Sequence, residues 1–388
     1  MGRIAARADR RGAARARLGA VPITDEVRVV VRPLAAAIGA LAREWTALAK
    51  IASEPNAFAE HWFVAASLPD LAAGRDIRLL EVRRGARLIG LLPVEAYRGY
   101  ARLPVGIVRN WAHDQMFLMT PLVAAGEEQA FWTAILATLD QADWAGGLLH
   151  LRGLNEHGPV LRGLNAARPA AIVHREIRAM LESDLDPEAY YERAVRQKKR
   201  KEIRRLRNRL AEQGQVTTRR LDDSAELDSW CGAYLAMEKA GWKGGAGSAL
   251  ACRPETDAFF RAAIRAAWAA GRLQFLRLDV GGTTIAMLVN FLTPPGSFSF
   301  KTVFDESYAR FSPGVLIQLD NLDILRDPRI AWMDSCAAAD HPMIDSLWTE
   351  RRSIVRVSVP LSGARRAVTF AFCRALERGS AMFRTLAR

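Results

Sequence analysis

The seven residues Arg310-Phe311-Ser312-Pro313-Gly314-Val315-Leu316 carry the sharpest chemistry in this 388-residue chain. A helix opened by Ser-Pro-Gly leaves backbone N–H groups free at its positive dipole end, which suits a pyrophosphate. Arg310 adds a charge partner, and Gly314 carries no side chain to hold a phosphate off the backbone. The same residues also read as an ordinary Ser N-cap followed by Pro at the first helical position. The surrounding elements must decide between the two.

Groups that move protons are few. His341, in Ala339-Asp340-His341-Pro342-Met343, is a loop imidazole beside a carboxylate, either a base near neutral pH or a solvated loop residue. Glu238, in Met237-Glu238-Lys239-Ala240-Gly241-Trp242-Lys243-Gly244, is a second candidate base, or a carboxylate paired with a neighbouring Lys. Asp334, at a predicted strand end, and Asp305 are weaker choices. Cys231, Cys252, Cys336 and Cys373 form no CxxC pair, and the six His are scattered. Neither a disulfide framework nor a metal site is expected.

The net charge of +13 is local rather than general. Residues 1–20 hold six Arg against one Asp, 190–213 hold ten Lys or Arg against three Glu, and 362–388 hold six Arg against one Glu. Such segments attract anions to particular surfaces: membrane phosphate, nucleotide phosphate or RNA. No stretch of about eighteen apolar residues occurs and the N-terminus lacks an apolar signal core, so a cytoplasmic chain is expected.

The elements that position these groups occur twice. Strand 27–31, helices 34–49 and 56–72, strands 77–82, 86–96 and 105–111, helix 127–141 and strands 147–151 and 171–180 make the first set. After a basic helix over 190–213 come strand 215–221, helices 224–241 and 254–270, and strands 273–280, 283–292 and 297–304. A helix from Pro313, a strand over 330–335, a weaker helix over 342–350 and a strand over 353–359 complete the second. The repeated order suggests internal duplication with a boundary near Asp184-Leu185-Asp186-Pro187. The organisation expected is a disordered basic tail over 1–24, domains over 25–184 and 185–361, and a basic amphipathic helix over 362–388.

Lys198-Lys199-Arg200-Lys201, Gly241-Trp242-Lys243-Gly244, Phe300-Lys301, Phe304-Asp305 and Ser312-Pro313-Gly314 together resemble the GNAT-related acyltransferases of the CelD-type, cellulose-biosynthesis-associated family. These in turn resemble the duplicated fold of Fem-type peptidyltransferases. The resemblance is good from 190 to about 320 and weaker in the first half. It implies an α/β (α+β) fold of two tandem GNAT-like domains, each a mixed, mainly antiparallel sheet flanked by helices. The second domain would be catalytic and the first would shape the acceptor side. Acyl-CoA is implied as donor and an amine as acceptor, with no metal.

In that fold the turn after the fourth strand holds the CoA pyrophosphate in a Gln/Arg-x-x-Gly-x-Gly/Ala pattern; here Arg310 and Gly314 are four apart and Leu316 replaces the last small residue. The resemblance places the donor on Arg310, Phe311, Ser312, Pro313, Gly314 and Val315, with Thr302 and Val303 along the strand. The acceptor side falls to Trp242, Lys243, Lys301, Asp305 and Trp348, with His341, Glu238 or Asp334 moving the proton. No Tyr follows Tyr308, so the Tyr that often protonates the departing thiolate in such enzymes is missing, and Ser335, Cys336 or water would replace it.

Bacterial ceramide synthases, which resemble this family, acylate a long-chain sphingoid amine. The basic helix, together with Arg365, Arg366, Arg374, Arg378, Arg384 and Arg388 among Val368, Phe370, Phe372 and Phe383, favours that acceptor and peripheral contact with an anionic inner membrane. A polysaccharide acetyltransferase, a Fem-like ligase using aminoacyl-tRNA and a non-catalytic GNAT-fold binding module are the alternatives. Against RNA, the basic helix has no interleaved aromatic residues for base stacking.

Overall fold

In the computed structural model the described residues are 26–100 and 103–386, with side chains as far as 378. The tail expected over 1–24, together with the side chains of Phe383, Arg384 and Arg388, lies outside the described residues. The first half contains β1 (Val27–Pro33), α1 (Leu34–Ala40), α2 (Ala42–Ile51), α3 (His61–Leu71), β2 (Ile77–Arg84), β3 (Arg87–Tyr100) and β4 (Leu103–Asn110). It continues with β5 (Leu122–Val123), α4 (Glu128–Gln141), β6 (Leu148–Asn155), α5 (Pro159–Ala167) and β7 (Ala171–Glu182). The second half contains α6 (Pro187–Ala194), α7 (Gln197–Ala211), β8 (Val216–Arg220), α8 (Leu227–Ala240), α9 (Trp242–Gly245), α10 (Pro254–Ala269), β9 (Leu273–Val280), β10 (Thr283–Thr293) and β11 (Gly296–Phe304). It ends with α11 (Pro313–Asp320), β12 (Trp332–Asp334), β13 (Glu350–Pro360) and α12 (Ala364–Leu386).

Several elements depart from the sequence reading, among them a first helix divided at Leu41 and the unexpected β5 and α9. The basic helix is two helices, because buried Val195 is extended between α6 and α7 and breaks the run. The helix expected over 342–350 is a single 3₁₀ turn, Ile344–Ser346. The short helix α5 was missed, although Pro159 at its first position and Pro169 beyond its end are ordinary boundary signals.

The strands form one mixed sheet in the order β1-β2-β3-β4-β6-β13-β7-β12-β11-β10-β9-β8, with β5 on β3. Hairpins join β2 to β3 to β4 and β9 to β10 to β11, but the centre is exchanged between the halves. The last strand, β13, lies antiparallel between β6 and β7 of the first half, pairing Val357 with Leu151 and Arg352 with Arg178. Strand β7 in turn pairs with β12 of the second half, Met333 opposite Leu181. Each half therefore supplies a strand that completes the other.

Aromatic packing joins the halves on one face of this sheet. The Phe58 ring lies 5.1 Å from Phe298, Trp62 lies 5.0 Å from Phe291, and Phe63 lies 5.5 Å from Phe259. Edge-on contacts of this kind add to burial of apolar area. A chain ending at residue 184 lacks β13 and leaves the facing edges of β6 and β7 unpaired. Such a fragment should show no cooperative thermal transition by circular dichroism, whereas the whole chain should; a sharp transition in the fragment would make the exchange dispensable.

Candidate active site

The sheet opens at one place in the second half. Parallel strands β11 and β12 pair only at Gly296 with Trp332, Ser297 with Met333 and Phe298 with Asp334. Beyond Phe298, β11 continues to Phe304 bonded to β10 alone. Strand β12 ends at Asp334, and Cys336, at φ 53°, turns the chain away. A wedge results, with one bare strand edge along its wall.

A β-bulge decides what faces this wedge. Strand β10 pairs Val289 with Lys301 but Asn290 with Ser299, leaving Phe300 as an extra residue. A bulge shifts the alternation of side chains by one. Ser299 and Thr302, three apart, consequently both meet Gln318 of α11, whose Nε2 donates at 3.2 Å and 3.1 Å to their oxygens. Lys301 is sent to the opposite face, where its Nζ lies 5.3 Å from the centre of the Phe300 ring and 5.5 Å from that of Phe117 in the first half. Burial lowers the Lys301 ammonium to about 8, and nearby Lys243 pushes the same way while Glu238 and Cys336 oppose it.

The end of α8 and the start of α9 roof the bare edge. Glu238 is buried, accepting from Lys243 Nζ at 2.8 Å and from the Leu250 N–H at 2.8 Å. The Trp242 N–H donates to Glu306 Oε1 at 2.6 Å, while its side chain is 65% exposed. A narrow crevice runs between Glu238, Trp242 and Lys243 on one side and Thr302 and Val303 on the other. Residues expected on the donor and acceptor sides thus meet here.

At the base of the wedge, Asp334 is fully buried. Arg178 Nη2 of β7 donates to its Oδ2 at 2.8 Å, Arg178 Nε lies 2.7 Å from Oδ1, and Arg352 Nη1 of β13 donates to Oδ2 at 2.9 Å. The Cys336 N–H donates to Oδ1 at 2.9 Å. Against the effect of burial, the two guanidiniums hold the Asp334 carboxyl below its usual range. This corrects the reading of Asp334 as a base, since a carboxylate so paired has no lone pair to spare. Burial pushes the Cys336 thiol well above its ordinary value, so it stays protonated.

At the proposed donor end, Ser312 adopts the left-handed conformation, φ 54°. The N–H groups of Val315 and Leu316 both donate to Ser312 O, at 2.9 Å and 3.1 Å, and Pro313 has none. Of the first turn, only the Gly314 N–H is left over, fewer donors than expected. A Cβ at Gly314 would come 3.2 Å from Met343 Sδ and 3.4 Å from the Phe304 ring, so the loop after β12 folds back over the helix start. Exposed Arg310 lies 4.7 Å above the Phe311 ring. Helix α7 packs against 306–311, and most of its exposed residues are Lys or Arg. The corresponding helix of the first half, α4, begins with Glu127 and Glu128, which repel a phosphate.

The other expected residues divide. His341 is partly buried with an Nδ1 that has no hydrogen-bond partner. Asp305 caps the 306–311 turn, accepting from the Ser307 N–H and hydroxyl at 2.9 Å and 2.7 Å. Trp348 is fully buried in the second core cluster, so it supports the wall and offers no surface to a substrate. Phe117, Arg178 and Arg352 were missed: they come from distant segments, and nothing in their local sequence distinguishes them. Among the described residues no cluster of three or more His, Cys, Asp or Glu stands close enough to hold a metal, and no helix is long and apolar enough to cross a membrane.

A mixed sheet with a parallel splayed pair, a helix starting beside it and helices on its faces defines the GNAT fold. Residues 197–341 match the family model for a GNAT acetyltransferase domain. Among solved structures, FemX superposes with a TM-score of 0.56 at 12% identity, covering 82% of this chain and 96% of that one. A conserved protein of unknown function from Bacteroides thetaiotaomicron gives 0.52 at 11% identity, covering 82% and 97%. The C-terminal domain of a putative lysylphosphatidylglycerol synthetase from Agrobacterium fabrum gives 0.51 at 13%, covering 86% and 96%. At these identities the likeness is one of fold. No functionally curated protein matches the chain.

Replacing Asp334 by Asn leaves two guanidiniums against a neutral amide and should cost about 3–5 kcal/mol, read by urea denaturation. The folded carboxyl is held low, so its contribution is complete above the unfolded value of about 3.9 and is lost as pH falls. The wild-type urea midpoint should fall more steeply than that of the variant between pH 5 and pH 3; parallel curves would show that the charge is unimportant.

Proposed function

We propose that the chain transfers an acyl group from a CoA thioester to an amine, in the wedge between β11 and β12. The observation that carries this reading is the bare edge of β11, with Lys301 turned into the space between the halves and a helix start beside it. We assign catalysis to 185–361 and shaping of the acceptor side to 25–184. The basic face of α7 supplies the phosphate attraction that the single Gly314 N–H cannot supply alone.

The chemistry needs little beyond placement and proton transfer. His341 takes the proton of the arriving ammonium. The neutral amine attacks the thioester carbonyl carbon, a C–N bond forms, and the C–S bond breaks. Protonated Lys301 faces the carbonyl oxygen and gives a proton to the departing thiolate, then receives the one left on the new amide nitrogen. A lysine near 8 exchanges protons readily around neutrality. Glu238, with both oxygens engaged, holds Lys243 rather than acting as base.

The narrower reading of the acceptor as a long-chain sphingoid amine is supported by α12, where Val368 and Phe372 are exposed beside Arg365 and Arg366. Acetyl transfer to a polysaccharide and aminoacyl-tRNA as donor predict different ligands. Thermal-shift titration with acetyl-CoA, palmitoyl-CoA and free CoA separates them, a ligand at a hundredfold its Kd stabilising by about 2.7 kcal/mol. No stabilisation by any of the three would remove the donor assignment.

Two variants test the site. Val315→Asp puts an acid in the first turn of α11, which suits the helix dipole but repels pyrophosphate; CoA affinity should fall at least about tenfold with the fold intact. Unchanged affinity would place the donor elsewhere. Lys301→Met should lower turnover about a hundredfold or more. Folded Lys301 binds its proton less tightly than the unfolded chain does, so its burial costs stability at neutral pH and the cost vanishes above about 10.4. The same variant should therefore be more stable by about 1–3 kcal/mol at pH 7, with the gain gone by about pH 11. Full activity in Lys301→Met would remove it from the mechanism.

A further inference from the structure

A large space near the wedge lies over the exchanged strands. A cavity of about 400 Å³ is lined by Arg152 of β6, Arg356 of β13, and His174, Glu176 and Arg178 of β7, and it reaches Phe117 and Cys336 beside Lys301. Its floor is a ladder of cross-strand pairs: Arg356 opposite His174, Ile354 opposite Glu176, and Arg352 opposite Arg178. The volume is that of a small-molecule site.

The arginines are unequally satisfied. Arg178 and Arg352 are committed to Asp334. At the other end, Arg75 and Arg109 share Glu95: Arg75 Nε donates to Oε2 at 3.0 Å, and Arg109 Nε donates to Oε1 at 2.7 Å. The guanidiniums of Arg152 and Arg356 form no hydrogen bond or ion pair with any described residue; Arg356 is exposed, whereas Arg152 is half-buried and its Nε is a buried donor with no acceptor. Burial together with Arg109, Arg356 and Arg75 pulls Arg152 below the usual guanidinium range, against Glu95. His113, on the cavity wall, is neutral, its imidazolium lowered to about 3 by burial. The carboxylates facing the cavity are Glu176, half-buried, and Asp114, exposed. A buried donor without an acceptor is costly unless something supplies one.

We propose that this cavity receives the acceptor and that Arg152 and Arg356 bind an oxyanion the acceptor carries. The inference rests on the acyl-transfer reading for the identity of the ligand, but the anion site stands on its own residues. From the Arg356 rung to the Arg352 rung is four residues, about 13 Å at 3.3 Å each. The acceptor is accordingly an extended molecule with its acid some 10–15 Å from its amine. An unphosphorylated sphingoid amine has no group for this end.

Inorganic phosphate is the probe, titrated calorimetrically into the full chain. Arg152→Gln and Arg356→Gln should each weaken phosphate binding about tenfold, the worth of one charge-assisted hydrogen bond. Both should bind CoA as the wild type does, and Val315→Asp should keep its phosphate affinity. Failure of the wild type to bind phosphate, wild-type phosphate affinity in both arginine variants, or loss in Val315→Asp alone would each overturn the proposal. Should Arg152→Gln fail to fold, Arg356→Gln decides the matter. If CoA binds nowhere while phosphate still depends on the two arginines, the anion site stands and the acyl-transfer reading falls.

Discussion

Asp334 is fully buried, so its charge must be met by protein, and the groups that meet it come from two neighbouring strands and the turn after its own. Arg178 arrives on β7, Arg352 on β13 and the Cys336 N–H from the turn beyond β12. A buried carboxylate tolerates no missing partner, whereas a hydrophobic contact tolerates a poor one. The pairing therefore specifies that β12, β7 and β13 lie side by side in one register. It also fixes the closed end of the wedge, because the last paired rung of β11 and β12 is Phe298 with Asp334.

From that closed end the bare edge of β11 runs out toward α9 and α11. The extra residue Phe300 turns Ser299 and Thr302 down to Gln318 and Lys301 up toward Phe117. One irregular backbone position thus separates a polar contact with α11 from a lysine turned toward the first half. The first half has a parallel pair of its own, Val108 with Leu149 and Arg109 with His150, but its following helix opens on two glutamates. Two halves of one fold are in this way made unequal by the charge at a helix start.

Much of this was legible in the sequence where the signal is local. The Arg83-Arg84-Gly85 and Gly281-Gly282 turns, the repeated order of strands and helices, and the helix beginning at Pro313 are set by neighbours a few residues apart. The exchange was not legible: Val355, Val357 and Val359 alternate as any half-buried strand does, and alternation does not name a partner. Asp334 looked available because its arginine on β7 is 156 residues away. Trp348 was placed on the acceptor side by resemblance alone, and a helix read over 342–350 where the chain makes one 3₁₀ turn could not report its burial in the second core. The bulge at Phe300 is a backbone event, and the apolar pattern of β11 is the same with it or without it.

The position of β13 also bears on how the protein is made. Its partner β6 ends at Asn155, and β13 starts at Glu350, so at about 5–20 residues per second the ribosome needs roughly ten to forty seconds to deliver the missing strand. Throughout that interval β6 presents an open edge, and open edges recruit strands from other chains. Loop closure over such a span is slow as well as late. The nascent chain is therefore exposed to aggregation from the synthesis of β6 until that of β13, and a chaperone that shields strand edges would matter more to its yield than one that assists helix docking.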